Sequence, residues 1–223
     1  MYYSIAIDGP SGAGKSSLAK NLARHIGFNY IDTGAMYRTI GLYVYRKGIS
    51  SGDAAGIVSC LSEIDIGIQF EDGVQNMYLN GERVTDFIRE PDISTYASGV
   101  SKIPEVRGFL FDLQRDFARS NCVIMDGRDI GTVILPDADV KIYLFASAEN
   151  RAQRRYLELC EKGVATTYEE VLEQMRQRDE NDANREIAPA KPADDAVMVD
   201  NSELGIEGTF ERVLEIVRER IAL

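Results

Sequence analysis

The sequence predicts an α/β protein: a parallel sheet flanked by helices and interrupted by a small antiparallel insertion. Three observations carry this. Short apolar runs alternate with stretches of helical spacing along most of the 223 residues, the pattern of βαβ units. The stretch Gly9-Pro-Ser-Gly-Ala-Gly-Lys-Ser16 fits the phosphate-binding loop G-x-x-x-x-G-K-[ST], which needs a strand before it and a helix after it. Between Ile64 and Val84 the helical spacing gives way to short alternating runs, separated by Glu-Asp-Gly and Asn-Gly turns.

Tyr3 to Asp8 is short, β-rich and mostly apolar, a buried strand. Lys15 to Ile26 places Leu18, Leu22 and Ile26 four residues apart, a helix. Between them Gly9, Gly12 and Gly14 let the backbone turn its N–H groups toward one point. The helix start adds unpaired donors and the positive end of its dipole. The expected phosphate cradle is therefore the whole loop, Gly9, Pro10, Ser11, Gly12, Ala13, Gly14, Lys15, Ser16 and Ser17. Lys15 would reach the outer phosphates and the Ser16 hydroxyl would ligate Mg2+.

Phe28 to Ile31 is a second strand, and Asp32-Thr33-Gly34 opens a helix with Thr33 or Asp32 as N-cap. That helix runs through Met36, Ile40 and Val44 to Lys47-Gly48, a basic residue and a C′ glycine. Ala54 to Leu61 is a short helix. The insertion then supplies strands at Ile64 to Phe70, Asn76 to Leu79 and Arg83-Val84. Helices follow at Asp92 to Val100 and from Pro104 onward, the latter with Val106, Leu110, Leu113 and Phe117 inward. Asn121 to Asp126 and Asp139 to Phe145 are buried strands. Arg-rich helices at Glu149 to Lys162 and Tyr168 to Asn181 precede a last strand, Ala196 to Asp200, and a last helix, Ile206 to Ile221. Ile187 to Ala193 is a loop within the domain.

Hydrophobic residues make up 44% and charged residues 27%, an ordinary soluble composition. The 36 acidic against 25 basic side chains leave a net charge of −11, which argues against nucleic acid as a partner. No apolar run reaches the length of a membrane span and no signal segment opens the chain, so a cytoplasmic protein is expected. Cys60, Cys122 and Cys160 lie far apart and read as reduced thiols. The single histidine, His25, excludes a His-based metal centre or a His-dependent triad.

A phosphate-binding loop is shared by kinases, GTPases and motor ATPases, so the remaining chain must discriminate. The guanine-reading N-K-x-D motif is absent. Asp126, ending an apolar strand, stands where an acid would hold Mg2+ or its waters; a turn-initiating Asp before Gly127 is the plainer alternative. Arg178, Asp182 and Arg185 share one face if their helix continues, and Arg151, Arg154 and Arg155 lie similarly on the preceding helix. Arg38, Arg107 and Arg128 stand on three other segments. Taken singly, each arginine reads as a solvated surface charge. Several, however, fall at helix starts or just after strands, where the mouth of an α/β sheet binds ligands. Clustered guanidiniums suit phosphoryl transfer between two phosphate-bearing substrates, whose repulsion must be cancelled. A phosphate monoester, already anionic at neutral pH, needs no general base, whereas a hydroxyl acceptor does.

Gly9 to Ser16, Tyr30-Ile-Asp-Thr-Gly-Ala-Met-Tyr-Arg38, Asp126-Gly-Arg-Asp-Ile-Gly-Thr-Val133, Pro136-Asp-Ala-Asp139, Arg178-Asp-Glu-Asn-Asp-Ala-Asn-Arg185, Ala188-Pro189 and Asp200-Asn-Ser together closely resemble the bacterial cytidylate kinase family. The resemblance covers nearly the whole chain. It implies the P-loop NTPase fold, a single nucleoside monophosphate kinase domain over 1–223, and phosphorylation of CMP and dCMP by ATP with Mg2+ in pyrimidine nucleotide metabolism. Residues 1–52 and 102–223 would form the core, 53–101 the inserted NMP-binding subdomain, and 149–187 the helical lid with its following Arg-rich helix.

Under the same resemblance, Thr33 and Asp129 would take hydrogen bonds from the cytosine amino group, for which a carboxylate is the expected partner. Arg107 and Arg185 would hold the acceptor nucleotide, Arg38 and Arg128 would grip its phosphate, and Ser98, Arg178 and Asp182 would meet the sugar, with Tyr37 in the same site. Lys15, Arg38, Asp126 and Arg128 would be catalytic, Ser16 and Asp126 metal-side, and Arg151, Arg154 and Arg155 would close over ATP. Thr33 replaces the family's common serine, and Asn181 stands where some relatives carry another arginine. A monomer is expected. Two other functions are compatible with the loop: a kinase of UMP or of a non-nucleotide hydroxyl, with Asp32 or Asp126 as base, and a non-catalytic nucleotide sensor.

Overall fold

A computed structural model describes residues 2–71, 74–184 and 188–222. In chain order the elements are β1 (Ser4–Asp8), α1 (Lys15–Ile26), β2 (Asn29–Asp32), α2 (Thr33–Arg46), α3 (Ala54–Ser59), β3 (Ile66–Glu71), β4 (Val74–Leu79) and β5 (Glu82–Arg83). They continue with α4 (Pro91–Val100), α5 (Pro104–Ser120), β6 (Val123–Gly127), β7 (Val140–Phe145), α6 (Ala148–Glu161), α7 (Tyr168–Ala183), β8 (Val197–Asp200) and α8 (Ile206–Arg220). Two compact units result, one formed by Tyr3–Phe28 with Cys122–Leu223, the other by Asn29–Asn121.

In the first unit four parallel strands run in the order β6-β1-β7-β8. Ile5, Ala6 and Ile7 of β1 are fully buried, as a strand covered on both faces requires. Ile5 stands opposite both Ile124 and Val140, and Phe145 opposite Asp200. This register brings the C-terminal ends of the strands, Asp8, Gly127, Phe145 and Asp200, to one rim, where α/β sheets place their ligands. Helix α1 stops at Gly27 in the left-handed conformation, with Arg24 and His25 in its last turn. His25, exposed on α1, packs edge-on against the half-buried Phe210 of α8, ring centroids 5.4 Å apart. Helix α7 opens with a full capping box between Thr167 and Glu170, and α6 and α7 pack around Ala152, Val171 and Met175.

In the second unit β3, β4 and β5 form an antiparallel sheet. Asn80 and Gly81, both at positive φ, make the tight turn between β4 and β5. Asp32 is the N-cap of α2, its carboxylate accepting the Ala35 N–H at 3.0 Å. Helix α2 lies against α4 at Gly41, where a Cβ would come within 3.0 Å of the Ala97 nitrogen. Phe117 of α5 meets Phe70 of β3 at 5.5 Å between centroids. These contacts explain why the compact unit runs from Asn29 to Asn121 while the sequence bounds its insertion at 53–101: α2 and α5 bury their apolar faces on the inserted elements.

Smaller differences have local causes. The helix expected through Leu61 ends at Ser59 and gives way to a 3₁₀ turn, Leu61–Glu63. On α5 Val106 and Leu110 are buried as expected, but Gln114 is buried as well while Leu113 and Phe117 are half-buried; the Gln114 amide donates to the Leu110 carbonyl at 2.9 Å. A π-helical turn, Ile130–Ile134, follows β6. Among the described residues no helix is long and apolar enough to cross a membrane.

Candidate active site

The phosphate-binding loop lies in the first unit, at the rim of the sheet. Its entry depends on Gly9: φ is +144°, and a Cβ there would sit 1.9 Å from the Leu144 carbonyl oxygen. Helix α1 starts from Gly14 in the left-handed region with no side-chain cap, so its first-turn N–H groups are not taken up by a capping side chain. Gly12, Gly14, Ser16 and Ser17 are exposed, Pro10 and Ser11 half-buried, and Ala13 and Lys15 buried. Lys15 folds back into the loop, its ammonium donating to the Pro10 carbonyl at 2.7 Å. Burial, reinforced by Arg128, lowers its pKa well below the ordinary 10.5; Asp126 and Asp8 oppose the shift, and Arg178 adds to it. Arg128 and Arg178 thus both repel the Lys15 ammonium, a repulsion that an anion arriving at the loop would relieve.

Ser16 and Asp126, the two residues expected on the metal side, are already joined: the Ser16 hydroxyl donates to Asp126 Oδ2 at 2.7 Å. A hydroxyl beside a carboxylate is a hard oxygen donor pair of the kind that could hold Mg2+. Arg128 donates through Nε to Asp182 Oδ2 at 2.8 Å, both side chains being largely buried. Asp129 is buried at the mouth of the π-helical turn. Arg178 and Asp182 both lie on α7; Arg185 falls outside the described residues.

The three arginines of α6 have three different surroundings. Arg151, 4% exposed, donates to the Ala146 carbonyl, to the Ser11 carbonyl of the loop at 2.9 Å, and through both terminal nitrogens to Asp179 of α7. It braces the loop from beneath. Arg154 donates to the Asn201 carbonyl at 2.7 Å. Arg155 pairs with Glu158 on the surface at 2.7 Å. Asn201, buried just past β8, donates to the Ala13 carbonyl at 2.9 Å and ties the end of the sheet to the loop.

In the second unit the residues expected to bind an acceptor gather near the start of α2 and on the helices behind it. Thr33 is buried in the first turn of α2, and Tyr37 and Arg38 are half-buried one turn later. Arg38 faces Asp32 at 4.0 Å, while Arg89 donates to the other oxygen of that carboxylate at 2.8 Å. The Arg107 guanidinium stands 6.0 Å from the Tyr37 ring centroid, and Ser98 is exposed on α4.

Four polar residues take roles here that the sequence reading does not assign: Asp8, Asp32 as partner of Arg89, Arg89 itself, and Asn201, which the sequence marks only as part of the Asp200-Asn-Ser motif. Asp8 and Asn201 could have been found by asking which polar residues end parallel strands, since both lie at that rim. Arg89 carries no such signal, because its partner is 57 residues away.

A family model described as cytidylate kinase matches residues 5–219. The cytidylate kinase of Caldicellulosiruptor bescii is 51% identical over 95% of this chain and 94% of its own. That of Thermosipho melanesiensis is 48% identical over 98% of each. Among solved structures, an uncharacterized protein from Eubacterium ventriosum aligns with a TM-score of 0.55 at 12% identity, over 98% of this chain and 99% of that one, a likeness of fold alone.

Proposed function

We infer that this chain, which belongs to the cytidylate kinase family, transfers the γ-phosphoryl group of ATP to CMP and dCMP, giving ADP with CDP or dCDP. The observation that carries the reading is the grouping of Lys15, Arg128 and Arg178 by the loop in a protein whose net charge is −11. These cations would stand where two phosphate groups meet, in a chain whose 36 acidic side chains outnumber its 25 basic ones. Lys15 would follow the charge that develops on the transferred group, and Arg128 would steady the acceptor phosphate. The acceptor phosphate is itself the anionic nucleophile, so no side chain has to remove a proton from it.

Ser16 and Asp126 would hold Mg2+, which supplies charge neutralisation between the donor phosphates when bound. We assign the acceptor-binding groups of the Asn29–Asn121 unit to Thr33, Tyr37, Arg38, Ser98 and Arg107. Those of the first unit are Arg128, Asp129, Arg178 and Asp182, with Arg185 retained on the strength of its motif. Helices α6 and α7 are assigned as the lid. We place the enzyme in pyrimidine nucleotide metabolism and take it to act as a monomer. The three cysteines, all unpaired, suit a reducing compartment and hence the cytoplasm.

A coupled ADP-release assay across CMP, dCMP, UMP, AMP and small hydroxyl compounds tests the function. CMP and dCMP should be turned over far faster than the rest. Strong turnover of a hydroxyl compound alone, or none with any monophosphate, would overturn it.

A further inference from the structure

We propose that Asp8 is a positioning residue for acceptor recognition, fixing Arg128 and Asp129 by capping the π-helical turn that begins immediately after them. The assignment rests on the role given above to those two residues. Asp8 ends β1 and is only 3% exposed. Its Oδ1 accepts the Ile130 N–H at 2.8 Å and its Oδ2 accepts the Gly131 N–H at 2.7 Å. Within the turn, the Val133 and Ile134 N–H groups donate to the Asp129 carbonyl and the Leu135 N–H to the Ile130 carbonyl. The opening N–H groups of a helical turn have no partner in their own ladder, and buried donors of this kind must be met from outside.

The residue placed to meet them locally is Asp129, the N-cap, yet it makes no side-chain cap bond to its own turn. Asp8 does so instead, from a strand 122 positions earlier. Capping of this turn is therefore done by Asp8 and not by the Asp129 side chain.

Two further features fit this role. A Cβ on Gly131 would lie 3.3 Å from Asp8 Oδ2 and 3.3 Å from Lys141 Cδ, so glycine lets the carboxylate close on the turn. Burial pushes the Asp8 carboxyl up to about 6, against the two N–H donors that hold it down, so it is chiefly an anion at neutral pH and a strong acceptor. Because Asp8 also precedes Gly9, one side chain stands at the root of the donor loop and anchors the segment carrying Arg128 and Asp129.

Steady-state kinetics on the full-length Asp8→Asn protein test the assignment, with thermal melting as a check on folding. Asparagine keeps the size of the side chain but presents one N–H of the turn with an amide nitrogen. KM for CMP should rise roughly tenfold, as expected for one lost hydrogen bond to a charged group, while KM for ATP changes much less. Gly131→Ala keeps the carboxylate but crowds it, and should shift KM for CMP in the same direction by a smaller factor. If Asp8→Asn does not fold, Gly131→Ala decides by the same criterion. A wild-type enzyme that uses CMP, with variants whose two KM values stay unchanged or rise together, overturns the positioning role alone. A wild-type protein that turns over no CMP overturns the functional reading itself.

Discussion

Lys15 has its ammonium on the Pro10 carbonyl, and burial with Arg128 nearby keeps its pKa well below 10.5. A phosphate anion favours the charged form, so nucleotide binding must raise that pKa again. Between the depressed value and 10.5, the complex therefore holds more protons than the free protein. Calorimetric titration of ATP in buffers of different ionisation enthalpy should show net proton uptake at alkaline pH, and Lys15→Ala should abolish it. The same variant should lose two to three orders of magnitude in turnover with its circular dichroism unchanged. Asp129→Ala should raise KM for CMP by roughly ten- to a hundredfold with little effect on ATP; equal damage to both would point to a structural role. Lys15 and Ser16 were legible because their motif is local, eight consecutive residues whose backbone does the work. Asp8 and Asn201 were not, because their bonds to Ile130 and to Ala13 span 122 and 188 positions.

At the scale of elements, the α6–α7 hairpin bears on the loop through Arg151. Its bonds to Ser11 and Asp179 join two helices and the loop at a side chain that is 4% exposed. Arg151→Ala would leave the Asp179 carboxylate and the Ser11 carbonyl without their donor. Urea unfolding should show a loss of about 2–3 kcal/mol, below the full cost of breaking a buried pair because Asp179 is partly solvated. Retained stability with lost activity would instead place Arg151 on ATP. Elements with a strong local signal are legible: α1 follows from the four-residue spacing of Leu18, Leu22 and Ile26, and β1 and β7 from short apolar runs. The π-helical turn does not, since five residues with longer hydrogen-bonded rings leave no periodic trace. The buried Gln114 was missed because a spacing of apolar residues cannot register an amide that satisfies itself on the preceding turn.

For the whole molecule, the acidic balance and the division into two units both bear on ligand response. Each nucleotide, by binding the folded chain, should stabilise it by about 2.7 kcal/mol at a hundred times its dissociation constant and so raise its melting temperature. Lys15→Ala should lose the shift caused by ATP and keep that caused by CMP. Arg107→Ala, in the Asn29–Asn121 unit, should do the reverse. A variant losing both shifts would show that the two nucleotide sets cannot be separated. The fold class was readable over the whole length, whereas the extent of the second unit was not, because packing of α2 on α4 is decided by a small residue, Gly41, that sequence spacing does not single out. The bond from Asn201 to Ala13 also sets an order in time. On a ribosome the loop is made 188 positions before the side chain that secures it. A nascent chain should therefore acquire nucleotide affinity late, and chains truncated before Asn201 should fail to bind ATP; tight binding by such a fragment would show that the loop matures without its last tether.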